Sequence, residues 1–340
     1  MLAGALWDDT PVGGPNAGSA WFFRFTNILL PKVTRIAGAN RYLTAVAASQ
    51  RCAPAGAHTV VIATGANWPD ALGGSALAGA ARGPLLLTKK DALPSEVTAE
   101  IARLGAIKAY VLGSTASVSA AVENALVSML GRANVVRLGG ANRYETARKV
   151  ADETIRLQGA AYTGYVFVAT GTRFPDATAA SPLAAWLGAP ILLANPATGA
   201  FYLPAGAKKA MVLGSTSAVP AKVETALRAS LGEGKVTRMG GANRYATAAM
   251  VAQSGLGVGL QWNGVGLATG ENFPDALSAG PMLAAQGSVL LLTRPTALSS
   301  EARDRLAVNA ASIDSMFISG DTNAVSAAVA AAAAAAAGVP

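Results

Sequence analysis

Three arginines recur in nearly the same setting: Arg41, Arg143 and Arg244 each follow Gly-Ala-Asn and precede Tyr42, Tyr144 and Tyr245. Each falls where the chain enters a helix, and a cation at the positive end of a helix is unfavourable on its own. A threefold recurrence therefore calls for a negative partner. Two are open. One is an intrachain carboxylate, with the aspartates of a repeated Pro-Asp step, Asp70, Asp176 and Asp275, as candidates. The other is phosphate or carboxylate on a polymer, which a guanidinium matches bidentately. Arg35, Arg137 and Arg238 lie six residues upstream, at strand ends, and suit either role.

The aspartates stand in a second repeated string, Ala-Thr-Gly-x-x-Phe/Trp-Pro-Asp-Ala, at 63–71, 169–177 and 268–276. It joins a strand to a helix. Its Gly65, Gly171 and Gly270 are expected to leave backbone N–H groups free at the carboxyl edge of a sheet, where α/β folds take ligands. The bland alternative for the aspartates is helix capping or a salt bridge. The tyrosines read as core residues with a hydroxyl at the surface. The string is neither GxGxxG nor a Walker loop, so nucleotide binding has little support.

Other chemistry is excluded by scarcity. Cys52 and His58 are the only residues of their types, so no disulfide within the chain, cysteine zinc site or multi-histidine metal centre can form. Neither recurs in the repeats, and both read as structural. One repeated acid per unit does not provide the facing carboxylate pair of a glycosidase. No catalytic residue, metal or cofactor is expected.

The elements that position these residues come in triplicate. The first string starts at Arg35, Arg137 and Arg238, spacings of 102 and 101 residues. Further copies follow of an apolar string (Pro84–Thr88, Pro190–Ala194, Val289–Thr293) and of a fourth (Val111–Ser114, Val212–Ser215, Phe317–Gly320). In copy 1, strands are expected at Lys32–Ile36, Thr59–Ala63, Leu85–Leu87 and Ala109–Leu112. Helices are expected from Asn40 to about Ser49, from Pro69-Asp70, from Pro94 to Leu104 and over Val118–Leu130. Apolar strands alternating with helices predict parallel sheets covered on both faces. The fold class is α/β: three tandem Rossmann-like open-sheet modules at 33–134, 135–235 and 236–340. Asn195–Lys209 shows no helix signal, so copy 2 is expected to have lost one helix. The alanine-rich tail reads as the last helix of copy 3.

Composition agrees with tight layers. The 340 residues are 52% hydrophobic but only 6% aromatic, with 37 glycines. Lys and Arg (27) exceed Asp and Glu (19), a formal charge of +8 that favours anionic partners. The cations are dispersed, unlike the stripe of a nucleic-acid binder, and no nucleic acid is expected. Residues 1–32 differ from the rest. Trp21–Leu30 is apolar but too short to span a bilayer, and no positive region precedes it as in an ordinary signal peptide. No membrane span is expected. The segment reads as a strap on the first module or an anchor into a partner.

The strings resemble the type 2 cell-wall-binding repeat of Gram-positive surface proteins. Arg35–Ala45 matches its R-[IL]-[AG]-G-x-[DN]-R-Y-x-T-A start, Ala63–Leu72 its A-T-G-x-x-F-P-D-A-L centre and Pro84–Thr88 its P-I-L-L-T strand. The resemblance runs from about Val33 to the C-terminus. It implies three modules about a pseudo-threefold axis and non-catalytic binding to an anionic wall polysaccharide of the teichoic-acid kind. It also implies a place at the cell wall. Departures are Asn40, Asn142 and Asn243 where the family often has Asp, Val289 for the proline in copy 3 and Ala194 for the threonine in copy 2. Two alternatives stay open. One is a phage virion protein, decorating a capsid or tail through residues 1–32, or held by a surface-layer protein, and adhering to hosts through these modules. The other is a small-molecule enzyme, by fold analogy alone.

Overall fold

A computed structural model describes residues 32–339. The expected strap or anchor before Lys32 lies outside the described residues. The first repeat runs β1 (Lys32–Ile36), α1 (Arg41–Cys52), β2 (Thr59–Thr64), α2 (Gly74–Ala80), β3 (Leu85–Thr88), α3 (Ser95–Leu104), β4 (Lys108–Leu112) and α4 (Ala120–Leu130). The second runs β5 (Val135–Leu138), α5 (Arg143–Gln158), β6 (Tyr165–Thr170), α6 (Pro175–Ala179), α7 (Ser181–Leu187), β7 (Ile191–Ala194), β8 (Lys209–Leu213) and α8 (Ala221–Leu231). The third runs β9 (Val236–Met239), α9 (Arg244–Gly255), β10 (Gln261–Thr269), α10 (Pro274–Ala285), β11 (Ser288–Thr293), α11 (Ser300–Asn309), β12 (Ser315–Ser319) and α12 (Ala327–Ala336).

The strands form three four-stranded parallel sheets, β3-β2-β4-β5, β7-β6-β8-β9 and β1-β12-β10-β11. Each sheet therefore takes its edge strand from the repeat that follows. The first strand of the chain closes the ring by pairing with β12, Lys32 opposite Ser315 through Ile36 opposite Ser319. Three joints result, 1/2, 2/3 and 3/1, each held by backbone hydrogen bonds as well as by side chains.

The apolar strings are buried throughout in β3, β7 and β11, as fully covered parallel strands require. Small residues let three helices meet at the centre. A Cβ on Gly79 of α2 would fall 2.0 Å from the Ala185 carbonyl of α7, and one on Gly280 of α10 would fall 2.6 Å from Ser181 Cβ. The buried hydroxyls of Ser75 and Ser181 donate to the Leu277 and Ala276 carbonyls of α10. Trp68, Phe174 and Phe273, one from each central string, cluster with successive centroids 6.2 Å apart.

Two local expectations differ from the structure, and a third, the missing helix of copy 2, is met. Pro69-Asp70 opens no helix in copy 1: the segment is a turn, and α2 starts at Gly74. Gly73 and Gly74 carry too little helix propensity to extend the helix back to the proline. In copy 3 the fourth string starts one residue later than its apolar pattern suggests. Ile318 pairs with Arg35 as Val111 pairs with Arg137, which puts Gly320 and Asp321 opposite Gly113 and Ser114 in the repeat. Residues 195–208, between β7 and β8, contain no helix, and Phe201, Tyr202 and Leu203 pack over the sheet there instead.

Candidate functional site

The residues singled out by type gather at the joints, at the carboxyl ends of the strands. Asn40, Asn142 and Asn243 cap α1, α5 and α9, each side-chain oxygen accepting from the next two backbone N–H groups but one at 2.9–3.0 Å. That cap sets the direction in which the following arginine leaves the helix.

Each of these arginines donates through Nη1 to a glycine carbonyl of its own repeat: Arg41 to Gly65, Arg143 to Gly171 at 2.6 Å, and Arg244 to Gly270. The contact needs glycine. A Cβ at Gly65 would lie 2.8 Å from Tyr42 Cε1, one at Gly171 2.4 Å from Tyr144 Cε1, and one at Gly270 2.9 Å from both Arg244 Cδ and Tyr245 Cε1. No ion pair joins Arg41, Arg143 or Arg244 to Asp70, Asp176 or Asp275 among the described residues. The partner is a carbonyl, which neither sequence-based alternative anticipated. It leaves Nε and Nη2 of each guanidinium without a protein acceptor among the described residues.

The glycine N–H groups of the central loop are not free. The Gly65, Gly171 and Gly270 N–H groups donate to Thr88, Ala194 and Thr293 carbonyls at 2.8–2.9 Å. The next N–H in each loop donates to the preceding threonine hydroxyl, and two of the aromatics are held by Asn67 and Asn272. The first two N–H groups of each loop are thus spent within the chain, and the guanidinium beside them offers donors.

Two of the aspartates share a cleft with the arginine of the following repeat. Asp176 and Arg244 line one cleft of about 200 Å³, with Arg173, Ser217 and Thr247. Asp275 and Arg41 line another of about 320 Å³, with Glu271 and Asp321. At the 1/2 joint, Asp70 accepts from Ser117 at 2.5 Å, and Arg143 stacks on Trp68 with Cζ 5.2 Å from the ring centroid. Every aspartate abuts a left-handed glycine, Gly113, Gly214 or Gly320, at φ 95–100°. Burial raises the Asp176 carboxyl against the pull of Thr247, Arg244 and Arg173. Asp275 is pushed up to about 6 by burial and by the neighbouring Asp321, with Arg41 opposing.

Arg35, Arg137 and Arg238 are tied down. Arg137 and Arg238 pair with Glu123 and Glu224 at 2.7 Å and donate to the Gly113 and Gly214 carbonyls. Arg35 donates to the Gly320 and Asp321 carbonyls. They lock each donated edge strand to the loop it meets. Burial pushes the Cys52 thiol up to about 11, which keeps it an unreactive thiol at neutral pH, and the His58 carbonyl receives the Ile107 and Lys108 N–H groups.

Composition by repeat could not show that the Asp of one copy shares a cleft with the Arg of the next. That juxtaposition follows from the donated strand. Ser117, Arg173 and Ser217 lie at positions that vary between copies, which hid them, whereas Thr247 recurs as Thr44 and Thr146 and its repetition was the signal that could have found it.

The model of the cell wall binding domain 2 (CWB2) family matches residues 35–123, 137–224 and 238–330. N-acetylmuramoyl-L-alanine amidase LytC of Bacillus subtilis (strain 168) is 31% identical over 302 residues, covering 87% of this chain and 57% of LytC. The amidase enhancer of the same organism is 30% identical over 311 residues, covering 91% of this chain and 41% of its own length. Among solved structures, Cwp8 from Clostridium difficile superposes with a TM-score of 0.78 at 26% identity, over 91% of this chain and 52% of that one. Cwp6 from Clostridium difficile gives 0.77 at 26% identity, over 89% and 48%. The chain thus spans about half the length of the relatives it matches. Among the described residues, no helix is long and apolar enough to cross a membrane.

Proposed function

Because this chain belongs to the cell wall binding domain 2 family, we propose that it holds to an anionic wall polysaccharide through its three joints, without breaking or forming covalent bonds. One observation carries the reading: at every joint a half-buried guanidinium is fixed by a glycine carbonyl with further N–H donors unclaimed. Such a group is pre-oriented for phosphate or carboxylate, so little ordering cost remains on binding. The N-terminus of a long helix lies beside it and adds to the positive field. The cross-joint aspartate, Asp70, Asp176 or Asp275, offers an acceptor for a sugar hydroxyl next to the anionic group. The net charge of +8 draws a polyanion to the surface. Three weak sites on one rigid ring gain strength by rebinding at high effective concentration.

The test is sedimentation of the purified chain with Gram-positive cell walls, intact or stripped of anionic polymers, across a salt series. Retention should require the polymer and fall with salt. Arg143→Ala should weaken it several-fold, and the triple change at Arg41, Arg143 and Arg244 should abolish it, with unfolding followed separately. Retention on stripped walls equal to that on intact ones would sink the proposal.

A further inference from the structure

The second repeat has a cavity where the other two have a helix. Between β7 and β8 the chain runs through 195–208 without one, and a space of about 350 Å³ opens beside α5. Its apolar walls are Leu192, Leu193, Phe201 and Tyr202, and its rim carries Asn142 and Arg148. The volume is at the lower end of the range of small-ligand pockets, roughly 300–1,000 Å³.

The third repeat shows what this place accepts when it is filled. There α11 occupies it, and Glu301 takes a hydrogen bond from the capping Asn243, Nδ2 to Oε1, at 2.7 Å. The equivalent Asn142 uses its oxygen as the helix cap, but its Nδ2 has no acceptor among the described residues. Arg148 stands beside it, stacked on Tyr202 with Cζ 5.1 Å from the ring centroid and only loosely paired to Asp152 at 3.7 Å. Acceptors are present too. Glu145 spends Oε2 on the Ala141 N–H and keeps Oε1. The Tyr202 hydroxyl is held by Asp152 at 2.6 Å, which fixes the ring.

We infer that this cavity binds one pyranose unit bearing an exocyclic acceptor, a carboxylate or an acetamido carbonyl, that meets Asn142 Nδ2 and Arg148 as Glu301 meets Asn243. An aromatic and aliphatic floor suits the apolar face of a sugar ring. The mixed donors and acceptors suit its hydroxyls. Replacement of a helix by a loop carrying two adjacent aromatics then has a use: it trades an internal carboxylate for an external one. The site shares Asn142 and Tyr144 with the 1/2 joint but none of the three arginines, and its ligand class rests on the wall-polysaccharide reading.

The experiment is saturation-transfer NMR on the full chain with methyl β-glucuronide, methyl β-N-acetylglucosaminide and methyl β-glucoside. At least one of the first two should receive transfer, about tenfold more strongly than the glucoside. A200F places a ring in the cavity while leaving the Ala200 backbone bonds in place, and should abolish transfer. Y202A should weaken it, and the melting temperature of both variants shows that they fold. No transfer from any glycoside, transfer unchanged in A200F, or equal transfer from the glucoside would overturn the assignment. The two proposals fail separately. The triple arginine variant should lose wall retention and keep glycoside binding, whereas A200F should lose glycoside binding first.

Discussion

The 2/3 joint and the 3/1 joint share one backbone plan and carry opposite electrostatics. At 2/3, Glu224 of α8 receives both Arg228 and Arg238 at 2.7 Å. At 3/1 the matching helix is nearly all alanine, Ala330 stands in the place of that glutamate, and among the described residues Arg35 hydrogen-bonds only to two backbone carbonyls. The clefts differ in the opposite sense. Around Asp176 stand Arg173, Ser215 and Ser217, and around Asp275 stand Glu271 and Asp321. Since both joints form, side-chain ion pairs are not what makes the strand cross over. The ladder β1-β12 and the central packing of α2, α7 and α10 suffice. The charges tune how firmly, and at what pH, each joint holds.

The largest expected break is Glu224→Ala. It leaves the half-buried Arg238 with only a carbonyl, as Arg35 already is, and should cost about 1–3 kcal/mol by chemical denaturation. A loss below about 0.5 kcal/mol would mean the ion pair is idle and the two joints are energetically alike.

The pH dependence should separate the joints by sign. Asp275 has a folded pKa raised to about 6, so its stabilisation is present below about pH 4 and is lost as pH rises through 6. Hydrogen bonds from Arg228 and Arg238 hold Glu224 below the ordinary range, so its stabilisation is present at neutral pH and is lost on acidification through its folded pKa. Asp275→Asn should therefore stabilise the chain at pH 7 by about 1–2 kcal/mol, with the benefit vanishing near pH 4. Thermal melts at the two pH values check this, and an unchanged difference would remove Asp321 and burial as the cause.

The smallest effect is expected from Ala330→Glu, which gives Arg35 the carboxylate that Arg238 has. At this partly exposed site a gain of about 0.5 kcal/mol is expected by the same denaturation assay. Loss of stability instead would show that the acidic cleft at 3/1 repels a further carboxylate.

Much of this was legible beforehand because it depends on local chemistry. Asn40, Asn142 and Asn243 were readable as caps, since a cap involves only the next few residues. The apolar strings were readable as buried strands, since a strand covered on both faces shows no alternation. The start of α2 was misplaced because Pro-Asp is a good opening only where the next residues sustain a helix, and Gly73-Gly74 does not. The fourth string of copy 3 was shifted by one because Phe317, Ile318 and Ser319 are all plausible strand residues. The pairing of Ile318 with Arg35 on one side and Leu267 on the other fixes the register.

The sequence alone determined three α/β repeats, their caps, their buried strands and the recurrence of Arg41, Arg143 and Arg244, because each depends on residue type and near spacing. Only the tertiary structure decided that each sheet borrows its edge strand from the next repeat, that the arginines rest on glycine carbonyls, and that Asp176 and Asp275 share clefts with Arg244 and Arg41 of the following copy. The reason is physical: such contacts join residues well over twenty positions apart, and in Arg35 and Gly320 nearly the whole chain apart. No local preference encodes them; the closure of the ring does.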